Sequence, residues 1–150
     1  MEHSFQMTEK DIQKIRDFNR FYTNIIGLVD NHILDSPYSL PEARVLYEMY
    51  HHQPCTASEV ILSVKMDKGY LSRIIKSFKK SGLIKSKPSK EDGRALLLVL
   101  TSKGNSEFDK INSASANQIE SLLSRLSAEK IKELIHCMDR LKRILTTTEQ

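Results

Sequence analysis

The side chains best suited to chemistry lie between Met66 and Arg94, in the stretch MDKGYLSRIIKSFKKSGLIKSKPSKEDGR. Lys68, Tyr70, Ser72 and Arg73 fall within the first turns of a helical pattern, and Lys76 and Lys80 follow at helical spacing. Arginine and lysine donate to guanine O6 and N7 or to phosphate oxygens, and tyrosine and serine donate to either, so this set suits the edge and walls of a nucleic-acid groove. Gly69, in their midst, allows a helix start to approach a phosphate backbone closely; absence of any steric need explains it equally. Lys87, Ser89, Lys90, Asp92 and Arg94 form a second group around a turn. From Lys65 to Lys103 eleven Lys and Arg stand against three Asp and Glu, a local charge of +8 on a chain whose net charge is +4. The remainder is therefore acidic, and a polyanion meets this segment first. For any single lysine a solvated helix face is the competing explanation.

Other chemistries are poorly supported. His51-His52-x-x-Cys55 offers imidazole and thiolate ligands, but only three lie together and adjacent helical histidines diverge, so no metal site is expected. Cys55, just ahead of a helix start, is placed where a thiol pKa can fall, which would suit a redox sensor. Cys137 is most simply a packing residue of the last helix. No Ser-His-Asp grouping, nucleophile elbow, phosphate-cradling Walker loop or HExxH motif occurs, and neither an enzyme nor a cofactor is expected.

The basic residues need elements to position them. Asp67 can cap a helix whose Leu71, Ile74, Ile75 and Phe78 recur every three or four residues as a buried stripe, and Gly82 supplies the left-handed residue that stops it. Leu83 to Lys87 and Ala95 to Thr101 are β-prone runs around Pro88-Ser-Lys-Glu-Asp-Gly93, which carries turn signals. Upstream, Ser39-Leu-Pro-Glu42 reads as a capping box opening a helix to about Met49, and Thr56-Ala-Ser-Glu59 as a second one opening a short helix to about Val64. A short helix, a turn at Lys65–Met66, a basic helix and a charged hairpin make a winged helix-turn-helix. Tyr38, Tyr47 and Tyr50 are assigned to packing.

At 150 residues, 39% hydrophobic and 28% charged, the chain is expected to fold as one domain with helical extensions. No apolar run approaches a bilayer span, MEHSFQMTEKD lacks a signal-peptide core, and two cysteines make no disulfide framework. A cytoplasmic location without membrane contact is the expectation. Thr8 opens a helix read to about Ile33, in which Ile15, Phe18, Tyr22, Ile25 and Val29 form a seam. Asp35-Ser-Pro-Tyr38 breaks it. Thr101 caps a helix with Phe108, Ile111, Ile119, Leu122 and Leu126 on one side. Ser127 caps the last, where Ile131, Leu134, Met138, Leu141 and Leu145 repeat at 3, 4, 3, 4. Such seams at both ends suggest a dimer interface, and a two-fold dimer sets two reading heads about one DNA turn apart.

GYLSRIIKSFKKSGLI followed by EDGRALLLVLTSKG resembles the recognition helix and wing of the multiple-antibiotic-resistance-regulator (MarR) family of bacterial winged-helix proteins. Asp92-Gly93-Arg94 matches its Asp-x-Arg wing motif, and Leu98-Val99-Leu100-Thr101 with Gly104 matches the junction that follows. IRDFNRFYTNIIGLVD, LPEARVLYEMY and DKGYLSRII are also similar to the regulator half of proteins that fuse a MarR domain to a GNAT-type acetyltransferase. No glycine-rich loop for acetyl-CoA is found here, so the enzymatic half does not carry over. The resemblance implies DNA contacts from Lys68 to Arg73, and insertion of Arg94 or a neighbour into a narrow minor groove with Asp92 orienting a basic side chain. A turn-stabilising Asp92–Arg94 pair is the alternative.

The fold expected is mainly α with a small β-hairpin wing and about six helices. Within 1–150, residues 39–101 make the DNA-binding lobe, and 8–34 with 102–146 the helical dimerisation region. The function expected is a homodimeric repressor on a pseudo-palindromic operator in double-stranded DNA, with a possible small-molecule effector near Tyr22, His32 and Tyr47. The alternative is an interaction module partnering a separately encoded acetyltransferase.

Overall fold

The computed structural model describes residues 6–26, 35–91 and 93–147. The chain divides into two compact units, Met1–Asn112 and Ser113–Gln150. Among the described residues there are six helices and one two-stranded sheet: α1 (Glu9–Ile25), α2 (Leu40–His52), α3 (Ala57–Val64), α4 (Lys68–Lys80), β1 (Ile84–Pro88), β2 (Leu96–Leu100), α5 (Ser102–Leu123) and α6 (Ala128–Thr146).

Local capping chemistry sets the helix starts. Thr8 with Asp11, Ser39 with Glu42 and Thr56 with Glu59 each form a reciprocal capping box. Asp67 accepts from the Tyr70 amide and Ser127 from the Lys130 amide. Each cap is worth about 1 kcal/mol, so the frame of the lobe is drawn largely by short-range hydrogen bonds.

The first unit's core joins Val45, Leu46 and Met49 of α2, Val60 of α3, all four stripe residues of α4, Leu83 and Ile84, Leu98 and Leu100 of β2, and Phe108 and Ile111 of α5. The buried α4 face therefore docks the basic helix to the lobe. Phe108 and Ile111 bring the opening turns of α5 into the same core, so the compact unit runs beyond Thr101. The hairpin is antiparallel, with Ile84 opposite Leu100 and Pro88 opposite Leu96. Its pairing begins one residue later than the β-prone run, because Leu83 is taken up by the helix stop.

That stop is a knot of hydrogen bonds. Gly82 has φ 77°, and the Leu83 amide donates back to Phe78 O at 2.9 Å. The Thr101 amide donates to Leu83 O at 3.0 Å, while its Oγ1 donates to Gly82 O at 2.6 Å and accepts from the Gly104 amide at 3.1 Å. Lys103 Nζ caps the Ser81 carbonyl at 2.9 Å, an orphan at the end of α4. A Cβ placed on Gly104 would lie 2.1 Å from Leu83 O. Gln53, beyond α2, adds a bridge: its Oε1 accepts from the Leu100 amide at 2.9 Å and its Nε2 donates to Asn105 Oδ1 at 3.3 Å.

Several sequence expectations need correction. The first helix is described from Glu9 to Ile25 with Ile26 as its cap, and its expected continuation to Ile33 falls outside the described residues. Val29 and His32 lie outside the described residues. α2 continues past Met49 to His52, and α5 stops at Leu123, leaving Leu126 in the turn before Ser127. Tyr38 and Tyr50 pack against the core as expected, but Tyr47 is half exposed. Cys137 is exposed and not a packing residue. Neither α1 nor α6 buries any residue. Ile15, Phe18, Phe21 and Tyr22 of α1, and Ile135, Met138, Leu141, Ile144 and Leu145 of α6, all present substantial apolar surface.

Cys55 is not the activated thiol that its place ahead of a helix start would allow. Its side chain is buried, and its backbone exchanges two hydrogen bonds with Leu98, adding a one-residue third strand to the wing sheet. Burial, then the carboxylates of Glu59 and Glu48, push the thiol pKa up, which keeps it protonated and weakly nucleophilic near neutral pH. A Tyr38 pKa raised to about 12 has the same leading cause, burial, reinforced by Glu107, whose carboxylate accepts the phenol's hydrogen bond at 3.2 Å.

Gly104→Ala is expected to lower the unfolding free energy by about 3 kcal/mol, because backbone must move to admit the methyl. Gly93→Ala, with nothing within 4 Å of its added Cβ, should stay within about 0.5 kcal/mol. Urea midpoints compare the two. In a Cys137→Ser background, Ellman's reagent at neutral pH should leave the native chain unlabelled and modify one thiol per chain in urea. Rapid native labelling would contradict the buried Cys55.

Candidate nucleic-acid interface

The α3–α4 pair is joined by Lys65, Met66 and Asp67. Lys65 takes a left-handed conformation at φ 51°, and Met66 packs against the core. Sequence patterns gave no signal for a lysine in that conformation, since glycine or asparagine is the usual occupant. The tight connection sets α4 immediately after its partner helix, with Asp67 Oδ2 fixed on the Tyr70 amide at 3.0 Å.

Leu71, Ile74, Ile75 and Phe78 face inward, so Lys68, Gly69, Tyr70, Ser72, Arg73 and Lys76 are left exposed on α4. Lys79 and Lys80 of the last turn are exposed as well. Gly69 has a structural reason beyond mere tolerance: a Cβ there would sit 3.2 Å from the capping carboxylate of Asp67. The Arg73 guanidinium carbon lies 5.6 Å from the centroid of the Tyr70 ring, within cation–π range.

On the hairpin only Ile84 of β1 is buried, and Lys85 and Lys87 are exposed with the rest of the strand. The Ser89 amide donates to Ala95 O at 3.0 Å, closing the ladder beyond Pro88. Ser89 itself is half buried, and its Oγ accepts from the Glu91 amide at 3.3 Å. It therefore supports the turn as well as lying within it. Lys90 and Arg94 are exposed. Asp92 lies outside the described residues, so its expected pairing has no counterpart here. Among the described residues no carboxylate lies within ion-pair distance of Lys68, Arg73, Lys76, Lys79, Lys80, Lys85, Lys87 or Lys90. Eight exposed cations without internal counter-charges attract an anionic partner, and their attraction weakens with salt.

The histidines do not converge on Cys55. His51 packs its ring 4.4 Å from Tyr47 and 6.0 Å from Phe108, while His52 Nε2 lies 3.4 Å from Glu48 Oε2. Tyr22 stacks on Phe18 at 5.8 Å. A cavity of about 300 Å³ is lined by Glu48, His52, Pro54, Cys55, Glu59, Val60 and Ser63. Its carboxylates are of the wrong sign for the anion suited to α4. No helix among the described residues is long and apolar enough to cross a membrane.

Comparison with known proteins agrees with this geometry. Residues 36–95 match the MarR family profile. The chain is 30% identical over 87 residues to the HTH-type transcriptional regulator BilQ of Clostridium symbiosum, a match spanning 58% of this chain and 60% of that protein. It is 28% identical over 134 residues to the HTH-type transcriptional regulator MgrA of Staphylococcus aureus, spanning 85% of this chain and 86% of that one. The crystal structure of a MarR family transcription regulator superimposes with a TM-score of 0.78 at 18% identity, covering 95% of both chains. A mutant of E. coli MarR, solved in complex with operator DNA, superimposes with a TM-score of 0.70 at 18% identity, covering 91% of this chain and 99% of that one. Among these relatives the narrower likeness to acetyltransferase fusions finds no support. The helix-turn-helix and the first wing strand lie within the residues that match the MarR family profile, and the whole fold is that of the winged-helix regulators it superimposes on.

Proposed function

We propose that this chain is a dimeric, sequence-specific DNA-binding regulator that acts as a repressor by occupying a pseudo-palindromic operator. The observation that carries the reading is the exposed cationic face of α4, anchored by a buried apolar stripe and followed at once by a basic hairpin. Lys68, Gly69, Tyr70, Ser72 and Arg73, on the first turns, take the major groove. Lys76 neutralises phosphate further along. Lys87, Ser89, Lys90 and Arg94 on the wing border the minor groove, with Asp92 orienting a basic side chain there. That the E. coli structural neighbour was solved with operator DNA supports a duplex as the partner.

Dimerisation rests on the apolar surface of α1 and α6, which a monomer would leave in water. Two lobes held by one two-fold axis then read two half-sites. An effector that binds the two separations of those lobes unequally would control occupancy, because a small shift mismatches both half-sites at once. The chain performs no catalytic step in this reading, and it works in the bacterial cytoplasm, where its DNA is.

Binding to duplexes enriched from the source genome, followed by fluorescence anisotropy, should weaken steeply as salt rises, since every neutralised phosphate releases counterions. Arg73→Ala and Arg94→Ala should each cost about 1–3 kcal/mol of affinity. Affinity unchanged in both would remove the surface assignment. Leu141→Glu should lower the dimer fraction in sedimentation velocity; an intact dimer would exclude α6 as the interface.

A further inference from the structure

The cation–π pair on α4 has a consequence for what is read. Arg73 lies three residues after Tyr70, and helical side chains lean toward the N-terminus, so the guanidinium is carried back over the Tyr70 ring at 5.6 Å. The guanidinium carbon sits over the ring, a contact that uses none of its N–H donors. Among the described residues Arg73 makes no hydrogen bond or ion pair. The Asp67 carboxylate, which caps the same helix, is engaged by the Tyr70 amide at 3.0 Å. Tyr70 is 36% exposed, so its ring is a surface platform and not a core residue. A guanidinium held beside the ring with its fork unspent can engage O6 and N7 of guanine together, as it can two oxygens of a phosphate, and its place on the opening turns of α4 favours the base edge.

We propose that Arg73 is the base-reading residue of the recognition helix, that it selects a guanine in each half-site, and that Tyr70 is a positioning residue whose ring fixes the guanidinium plane. This rests on the DNA-binding reading above and adds the identity of one base and the device that reads it. The ring, not the phenol hydroxyl, does the positioning. Arg73→Lys keeps the charge and a donor for N7 but loses the planar fork, so it reads the base less sharply.

The test is selection from a randomised duplex library with the full-length chain and its Arg73→Ala, Arg73→Lys, Tyr70→Ala and Tyr70→Phe variants, each first matched to the parent by thermal melting. The parent should enrich sites with one guanine at a fixed place in each half. Replacing that guanine by 7-deazaguanine, which lacks the N7 acceptor, should lower affinity by about 10-fold. Arg73→Ala should lose the preference at that base pair and bind the 7-deazaguanine duplex as well as the normal one, while Arg73→Lys should keep only part of it. Tyr70→Ala should relax the preference several-fold, with the salt dependence of binding unaltered, whereas Tyr70→Phe should retain it. An enriched site that keeps its guanine preference in both Arg73 variants would overturn the base assignment. Equal preference in Tyr70→Ala and the parent, or loss in Tyr70→Phe, would overturn the role of the ring. If the parent binds no duplex even at low salt, the DNA-binding reading itself fails, an outcome distinct from any of these.

Discussion

The lobe depends on one close backbone approach: the start of α5 against the carbonyl of Leu83. Gly104 is the residue that permits it, since a methyl group there would sit at 2.1 Å from that oxygen. The approach brings Thr101 within reach of both Gly82 and Leu83, so one hydroxyl caps α5 and ties off the end of α4. Three elements meet there, the end of the basic helix, the root of the wing and the first turn of α5. Their backbone groups satisfy one another across the junction. The wing cannot shift relative to α4 without breaking those bonds, which is how a two-stranded hairpin, marginal in isolation, is held in place.

Charge and apolarity are segregated by the same arrangement. The lobe buries its apolar residues with no buried polar side chain beside them. Helical periodicity sets the cations of α4 off its buried stripe, and those of β1 lie on a strand exposed beyond Ile84. The cost of concentrating like charge is repulsion, and it is relieved when an anion arrives. A surface of this kind is poised for binding by its own electrostatics. By contrast, α1 and α6 expose their apolar seams, an arrangement water disfavours and a second copy would cover.

Cys55 illustrates how position in the chain misleads about chemistry. Being two residues ahead of α3, it has the sequence context of an activated thiol. Folding instead pairs its backbone with Leu98 and sinks the side chain into the core, where desolvation and two carboxylates favour the protonated form. Distance along the chain gave no hint of a contact with Leu98, 43 residues away.

Much of the lobe was legible in the sequence because its determinants are local. Capping boxes at Ser39 and Thr56, the Asp67 cap, the stripe from Leu71 to Phe78 and the stop at Gly82 each act within a few residues, and all appear where their types and spacing put them. The basic helix and hairpin followed from the same patterns and from the clustering of charge. What only tertiary structure decided were matters of contact between distant segments or of backbone conformation without a side-chain signature: the left-handed Lys65, the Gln53 bridge, the cap distance at Gly69 and the half-exposed Tyr47. Short-range hydrogen bonds and periodicity are written in the order of residues; which surfaces then meet is settled by packing, and no single stretch of the chain contains it.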